Sequence, residues 1–496
     1  MIQNLSSKTN KTKYIGNKGL GFRSILNWST KVEVISNNIK VTFSKYTRNK
    51  KYFEIFDNDT TKKLAKERNV KEDVAQMPIL SSPDINEFIQ NGKYPTTINI
   101  HFNDDNFNDI ISQKEKITPE TLLFLNNIEE IKFIGFDTEK ELIRKERKSN
   151  NILNHNNFHE TLSINTEVWD IYKTDGLLPE KDSIHNEPEQ YEIKLAVKDD
   201  LNDENPFVYS FFPTNFRVEL PYIIHATFDL DESRNHLNDT DNNKFVIDKL
   251  VEFITDVAKE RIKNKKFSWD AVKMLCDKGT VNERLKEFWF IDKLNEKLKS
   301  ENIFPCVNGS YKSFNEVICI DNEFSNFIYK NHFHDYLPLL IYKTPKNFNC
   351  PNYKIKFEFP HYKNALNSIS RIIQNKNDRA YFIKLIHKYK NIVFHDDYDL
   401  LIDPEENIIN SYTKCFTPAK IEVDIPNDYN LNLINEELFL ELIKEFEITG
   451  EKKARDLVEK INDIVNISSY EPANLIREVV KITNSKIEET QEKSKK

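Results

Sequence analysis

Glycine is scarce, with only nine in 496 residues. Any local concentration of it therefore carries information, and a second glycine box elsewhere in the chain is excluded. Cysteine is also rare. Cys276, Cys306, Cys319, Cys350 and Cys415 are scattered without a C-x-x-C pair. That excludes a disulfide framework or a cysteine zinc site and reads as reduced thiols in a cytoplasmic protein. No apolar run reaches the roughly 18 residues that a membrane helix needs, and Met1 to Thr12 has no apolar signal core. Positive charge is not in excess: 71 basic side chains face 79 acidic ones, a net charge of −8, which argues against a generic nucleic-acid binder.

What is present suffices for real cores. Hydrophobic residues make up 39% and aromatics 12%, and the length allows two to four domains. Three of the nine glycines fall in the run Ile15-Gly16-Asn17-Lys18-Gly19-Leu20-Gly21-Phe22-Arg23-Ser24. Glycine permits close approach of a ligand to the backbone. The following residues, to Trp28, read as the start of a helix, whose free N–H groups and dipole suit phosphate. A Walker loop fails because Lys18 precedes Gly19. A dinucleotide fingerprint fails because Gly19-Leu20-Gly21 lacks its third glycine and its preceding strand. The pattern that remains is G-x-x-G-x-G-F.

Downstream, Val32–Ile35 and Ile39–Phe43 read as strands joined by a hairpin turn at Asn37-Asn38. Thr96 to Phe102 alternates as a strand. A helical stretch ends in Thr118-Pro119-Glu120-Thr121-Leu122-Leu123-Phe124-Leu125, ahead of a strand at 131–136. Later, Pro206 to Asn235 reads as two strands, 207–212 and 220–230, around a loop with Pro213 and Asn215.

This order resembles the sacsin-like and heat-shock-chaperone-like branch of the GHKL ATPase superfamily, named from gyrase, heat-shock chaperones, histidine kinases and mismatch-repair proteins. Gly16, Asn17, Lys18, Gly19, Leu20, Gly21 and Phe22 match its second glycine box. Ser7 and Lys8 match its lid segment, Thr96 a threonine near adenine, and Leu122 to Leu125 a short apolar helix. Ser233-Arg234 matches a Ser-Arg pair. The resemblance implies that Arg234 reaches the γ-phosphate of ATP, a role suited to a guanidinium that keeps its charge and its fixed fork of donors.

The fold class implied is α+β. A partial GHKL (Bergerat-type) lobe is expected over 1–137, a β-rich middle domain over 138–240, a helical and β-hairpin domain over 241–345, and an α+β region with a helical tail over 346–496. Two elements of a complete site are missing from these 496 residues: the helix with Glu and Asn that activates water and binds Mg2+, and the D-x-G-x-G box. A protein partner or an upstream-encoded half would supply them, an open edge near Ile98 and Phe102 would invite such a partner, and a homodimer is compatible. The chain alone should not hydrolyse ATP. Stand-alone bacterial proteins of this branch are associated with anti-phage defence. The reading from another class is a nonenzymatic scaffold, or a truncated product retaining the fold.

Other constellations are weak. His155-x-x-x-His159-Glu160 lacks the zincin glutamate and reads as a polar loop. His332-x-His334-Asp335 reads as a solvated turn. Lys140, Arg144, Lys145, Arg147 and Lys148, interrupted by glutamates, read as a solvated charged face. Phe304–Tyr311 and Leu400–Pro404 each begin a strand-turn-strand unit, the second continuing to Cys415–Pro418. Leu433 to Asn484 reads as helical, and Ile487 to Lys496 as a fraying end.

Overall fold

Asn37 and Asn38 adopt positive φ angles of 48° and 63°, the left-handed pair that a two-residue hairpin demands and that asparagine tolerates. They join β1 (Ser29–Ser36) to β2 (Ile39–Ser44). In this computed structural model the described residues are 25–26, 29–56, 59–69, 78–87, 94–102, 105, 107–115, 117–135, 142–152, 157–179, 189–199, 201, 207–231, 236–276, 283–318, 322–345, 363–389, 398–418 and 432–493. The chain is a mixture of helix and sheet. It forms two compact units, Met1–Val257 with Gly279–Leu294, and Ala258–Lys278 with Asn295–Lys496.

The first unit holds two sheets. With β3 (Asp84–Glu87) and β4 (Thr96–Phe102), the hairpin makes an antiparallel sheet of order β3-β2-β1-β4. The strand period of two sets Val32, Val34, Val41 and Phe43 on one face with Ile98 and Ile100, and Glu33 and Thr42 on the other. Val32 and Phe43 are fully buried, whereas Ile98 and Ile100 are 50% and 40% exposed.

The second sheet has eight strands: β5 (Glu130–Lys132), β6 (Leu142–Ile152), β7 (Asn157–Ile164), β8 (Glu167–Leu177), β9 (Gln190–Val197), β10 (Phe207–Ser210), β11 (Phe212–Arg217) and β12 (Ile223–Ala226). Their order is β11-β10-β12-β9-β8-β7-β6-β5, antiparallel except for the parallel pair β10/β12. Both faces of its middle are covered. On one, Leu162, Trp169, Ile171, Ala196 and Ile223 cluster with Leu122, Leu123, Phe124 and Leu125. On the other, Tyr191 meets Phe245 of the helix Asp241–Ile262 edge-on at 5.8 Å. That helix buries Val246, Ile247, Leu250, Val251 and Ile254, the stripe its 3.6-residue period requires.

The second unit is mainly helical. Its core gathers Phe324 and Ile328 from Asn322–Lys330, Leu366 and Ile369 from Lys363–Ile372, Phe382 and Ile386 from Lys376–Lys388, and Leu438 and Leu442 from Glu436–Glu445. Asn375 caps Lys376–Lys388 by accepting from the Asn377 and Asp378 amides, and Asn435 caps Glu436–Glu445 by accepting from Leu438. Arg379 is buried among carbonyls. Its guanidinium donates to Ser370 O at 2.7 Å, Ile373 O at 2.6 Å and Leu400 O at 3.1 Å, and to Ser370 Oγ at 2.9 Å.

Several sequence expectations change. The Leu122–Leu125 segment is no regular helix: a 3-10 turn spans Pro119–Leu122 and turns follow. Pro213 and Asn215 sit inside β11, an edge strand where proline is tolerated, not in a loop. The expected strand at 220–230 is only Ile223–Ala226, and Leu230 instead bridges to Leu237. Phe304–Pro305 pairs with Tyr311–Lys312 as a hairpin, but Cys415–Phe416 lies between Asn432–Leu433 and Ile467–Ser468 in a small parallel sheet. The final helix, Pro472–Lys493, includes the first part of the segment that begins at Ile487.

Candidate functional site

Ser7, Lys8, Gly16, Asn17, Lys18, Gly19, Leu20, Gly21, Phe22 and Arg234 lie outside the described residues. Around them the frame is defined. Ser29 Oγ donates to Ile25 O at 2.9 Å, just after the glycine box. Thr96, the first residue of β4, is exposed, and its Oγ1 stands 3.0 Å from Ser36 Oγ. Two hydroxyls so placed can each donate and accept. On either side of Ser233-Arg234 the chain is clasped: Asp231 N donates to His236 O at 3.0 Å, His236 N donates to Asp231 Oδ1 at 3.2 Å, and Leu230 bridges Leu237. Of the residues assigned to the nucleotide, Thr96 alone is among the described residues.

A polar cluster that the sequence reading missed lies on the eight-stranded sheet beneath Leu122–Asn126. Strand alternation puts Glu192 and Lys194 of β9 on the same face as Lys173 of β8 and His225 of β12, since Lys194 stands opposite both Lys173 and His225. Glu192 Oε1 is 3.0 Å from Lys194 Nζ and 3.6 Å from His225 Nε2, and its Oε2 is 2.8 Å from Lys173 Nζ. Lys194 Nζ also donates to Asn126 Oδ1 at 2.8 Å. Lys145 of β6 donates through Nζ to Leu125 O at 2.5 Å and Leu122 O at 3.3 Å. Lys145 thus corrects its assignment to a solvated face: it is 7% exposed, while Arg144 and Arg147 of the same strand do reach solvent.

Proton affinities follow from burial and pairing. Burial alone would raise the Glu192 carboxyl, but the His225 ring, 3.6 Å away, and the Lys194 and Lys173 charges hold it well below the carboxylate range. Burial lowers Lys194, with Glu192 opposing. Burial and the Arg147 charge lower Lys145 to about 8. His225 is fully buried, and that burial keeps its ring toward the neutral form, against the pull of Glu192. Its Nδ1 accepts from the Phe211 amide at 3.1 Å, which assigns the ring proton to Nε2, facing Glu192. Phe124 stacks on the ring at 5.1 Å. These groups are sealed beneath apolar side chains, and the Lys145 ammonium is engaged by two carbonyls. Their chemistry is to pin Leu122–Asn126 to the sheet, not to attack a substrate.

His159 is on β7 and not in a loop. Its Nε2 is 3.0 Å from Asp170 Oδ1 and its ring stacks on Tyr172 at 4.7 Å. Among the described residues no cluster of His, Cys, Asp and Glu forms a metal site, and none of their helices is long and apolar enough to cross a membrane. Cys306 and Cys415 are buried thiols that burial pushes up to about 11 and about 12, so neither is a ready nucleophile. No protein-family model matches the chain, and no curated protein matches it.

Proposed function

We propose that the chain is an ATP-binding component of a GHKL-type ATPase, a cytoplasmic nucleotide switch of the kind associated with anti-phage defence. The observation that supports this most is the order of parts: a glycine box holding three of nine glycines, then an antiparallel sheet with Thr96 at its edge strand, then the Ser-Arg pair of the sequence, flanked by the hydrogen-bonded residues Asp231 and His236. In this reading Gly16 to Phe22 cradle the phosphates, Ser7 and Lys8 belong to the lid, Thr96 lies toward adenine, and Arg234 meets the γ-phosphate. In the same reading the Mg2+ ligand and the water-activating carboxylate come from a protein partner.

The test is nucleotide binding and turnover by the chain with and without the upstream gene product. Unassisted chain is expected to show no hydrolysis above background. In the complemented enzyme, Arg234→Ala is expected to lower turnover by roughly 10³-fold with binding retained, because the guanidinium acts on charge in the transition state. Gly21→Val is expected to abolish binding. Turnover within about twofold of the parent for a folded Arg234→Ala variant would remove Arg234 from the chemistry. A scaffold reading has one observation in its favour, the exposed isoleucines of β4, and becomes the conclusion if the complemented chain binds no ATP.

A further inference from the structure

The four-stranded sheet has two unlike outer strands. At one side β3 reads Asp-Ile-Asn-Glu, with an acid at each end. At the other β4 reads Thr-Thr-Ile-Asn-Ile-His-Phe, with no carboxylate, lysine, arginine or proline. Charges and proline are the devices by which edge strands resist pairing; β3 has charges and β4 has neither. Among the described residues β4 pairs with β1 alone. It turns Ile98, Ile100 and Phe102 to one face, 50%, 40% and 38% exposed.

We propose that β4 pairs antiparallel with β4 of a second copy of this chain, about a two-fold axis at Asn99. The strand is self-complementary about that residue. Asn99 meets Asn99 of the copy, Ile98 meets Ile100, Thr97 meets His101, and Thr96 meets Phe102. Directly opposed residues share a face, so four isoleucines form one apolar patch and the two sheets join into one. His101 is engaged within its own sheet, 3.2 Å from Glu33. Charge favours this occupant. A chain with net charge −8 carries more acidic than basic groups to set against its copy, and β4 offers a strand without carboxylates to an identical one. The contact is isologous and closes after two copies, so it gives a dimer and no fibre.

The pairing rests on the open edge of β4 and not on the nucleotide reading, which gives that same edge to the missing half, so its test uses the chain alone and needs no ATP. Sedimentation of the full chain across a wide concentration range is expected to show a monomer–dimer equilibrium, and Ile98→Lys, checked for folding by circular dichroism, is expected to remain monomeric. Register is tested by oxidation. Asn99→Cys is expected to yield a covalent dimer on a non-reducing gel, since opposed Cα atoms lie within disulfide reach, about 4.5–5.5 Å. Thr97→Cys is not, because its counterpart lies roughly 13 Å along the strand at ~3.3 Å per residue. The unsubstituted chain controls for its five native cysteines. A folded wild-type chain that stays monomeric throughout, a folded Ile98→Lys variant that still dimerises, or equal cross-linking at both positions would each overturn the proposal.

Discussion

Glu33 and Glu192 are both buried glutamates within antiparallel sheets of one unit, and each is met by two lysines and a histidine. Their surroundings differ. Lys31, Lys40 and His101 approach Glu33 with side chains 39%, 27% and 50% exposed. Lys194 and His225 approach Glu192 with side chains only 4% and 0% exposed, and Lys173 alone of its cations reaches water. The small sheet thus keeps its ion pairs at the solvent boundary and leaves apolar side chains out on β4. The large sheet seals its ions beneath Leu122–Asn126. Pairs of the first kind contribute little, whereas breaking a sealed cluster strands a charge away from water.

The largest expected effect is therefore at Glu192. Glu192→Gln leaves Lys194 and Lys173 without their shared carboxylate and should cost about 3–5 kcal/mol in urea unfolding. A loss no greater than that of Glu33→Gln would break the contrast between the sheets.

Lys145→Met comes next. It leaves two buried carbonyls without their donor and should cost about 1–3 kcal/mol. Its pH signature is separate. The Lys145 amine sits at about 8 in the fold, against an ordinary 10.5, so between those values the unfolded chain binds more protons and stability rises with pH. Subtracting the variant's stability–pH curve from the parent's should show that rise, and a flat difference would mean that Lys145 is hydrated.

Glu33→Gln is the smallest, about 1 kcal/mol or less, because solvent at its exposed cations screens most of the stabilisation that its lowered carboxyl would otherwise carry. Burial would raise the Glu33 carboxyl, but hydrogen bonds from Lys31, Lys40 and His101 hold it down to about 2, from 4.5. Its contribution is complete above pH 4.5 and should fade as acid titration proceeds toward 2. The variant should lack that part of the acid slope.

The same contrast explains what could be read without coordinates. The Asn37-Asn38 hairpin and the β4 alternation were legible because both are local, a turn chemistry and a period of two. The sealed cluster was not. In Tyr-Glu-Ile-Lys-Leu-Ala-Val the alternation of Glu192 and Lys194 with isoleucine and leucine looks like a strand with one wet face. What dries that face is Asn126 and its neighbours, 68 residues from Lys194. Likewise Lys145 sits in a run of charges whose strand alternation, Arg144 out and Lys145 in, is hidden until β6 is known to be a strand. Leu122 to Leu125 carry the apolar content of a helix, but their carbonyls are taken by Lys145, a long-range partner that no local pattern reveals. Of the nucleotide-site residues, only Thr96 falls within the described part, as the strand residue its alternation suggested.

Arg379 has a kinetic consequence. The two terminal nitrogens of one planar group find their acceptors only when the end of Lys363–Ile372, its own helix and Leu400 have all arrived. No two of these segments complete the arrangement without the third. Contacts that need three segments at once are expected to form late in folding, which would put their weight on the rate of leaving the native state and hardly on the rate of reaching it. The guanidinium then acts as a catch on unfolding: the helical unit owes it persistence rather than speed of assembly.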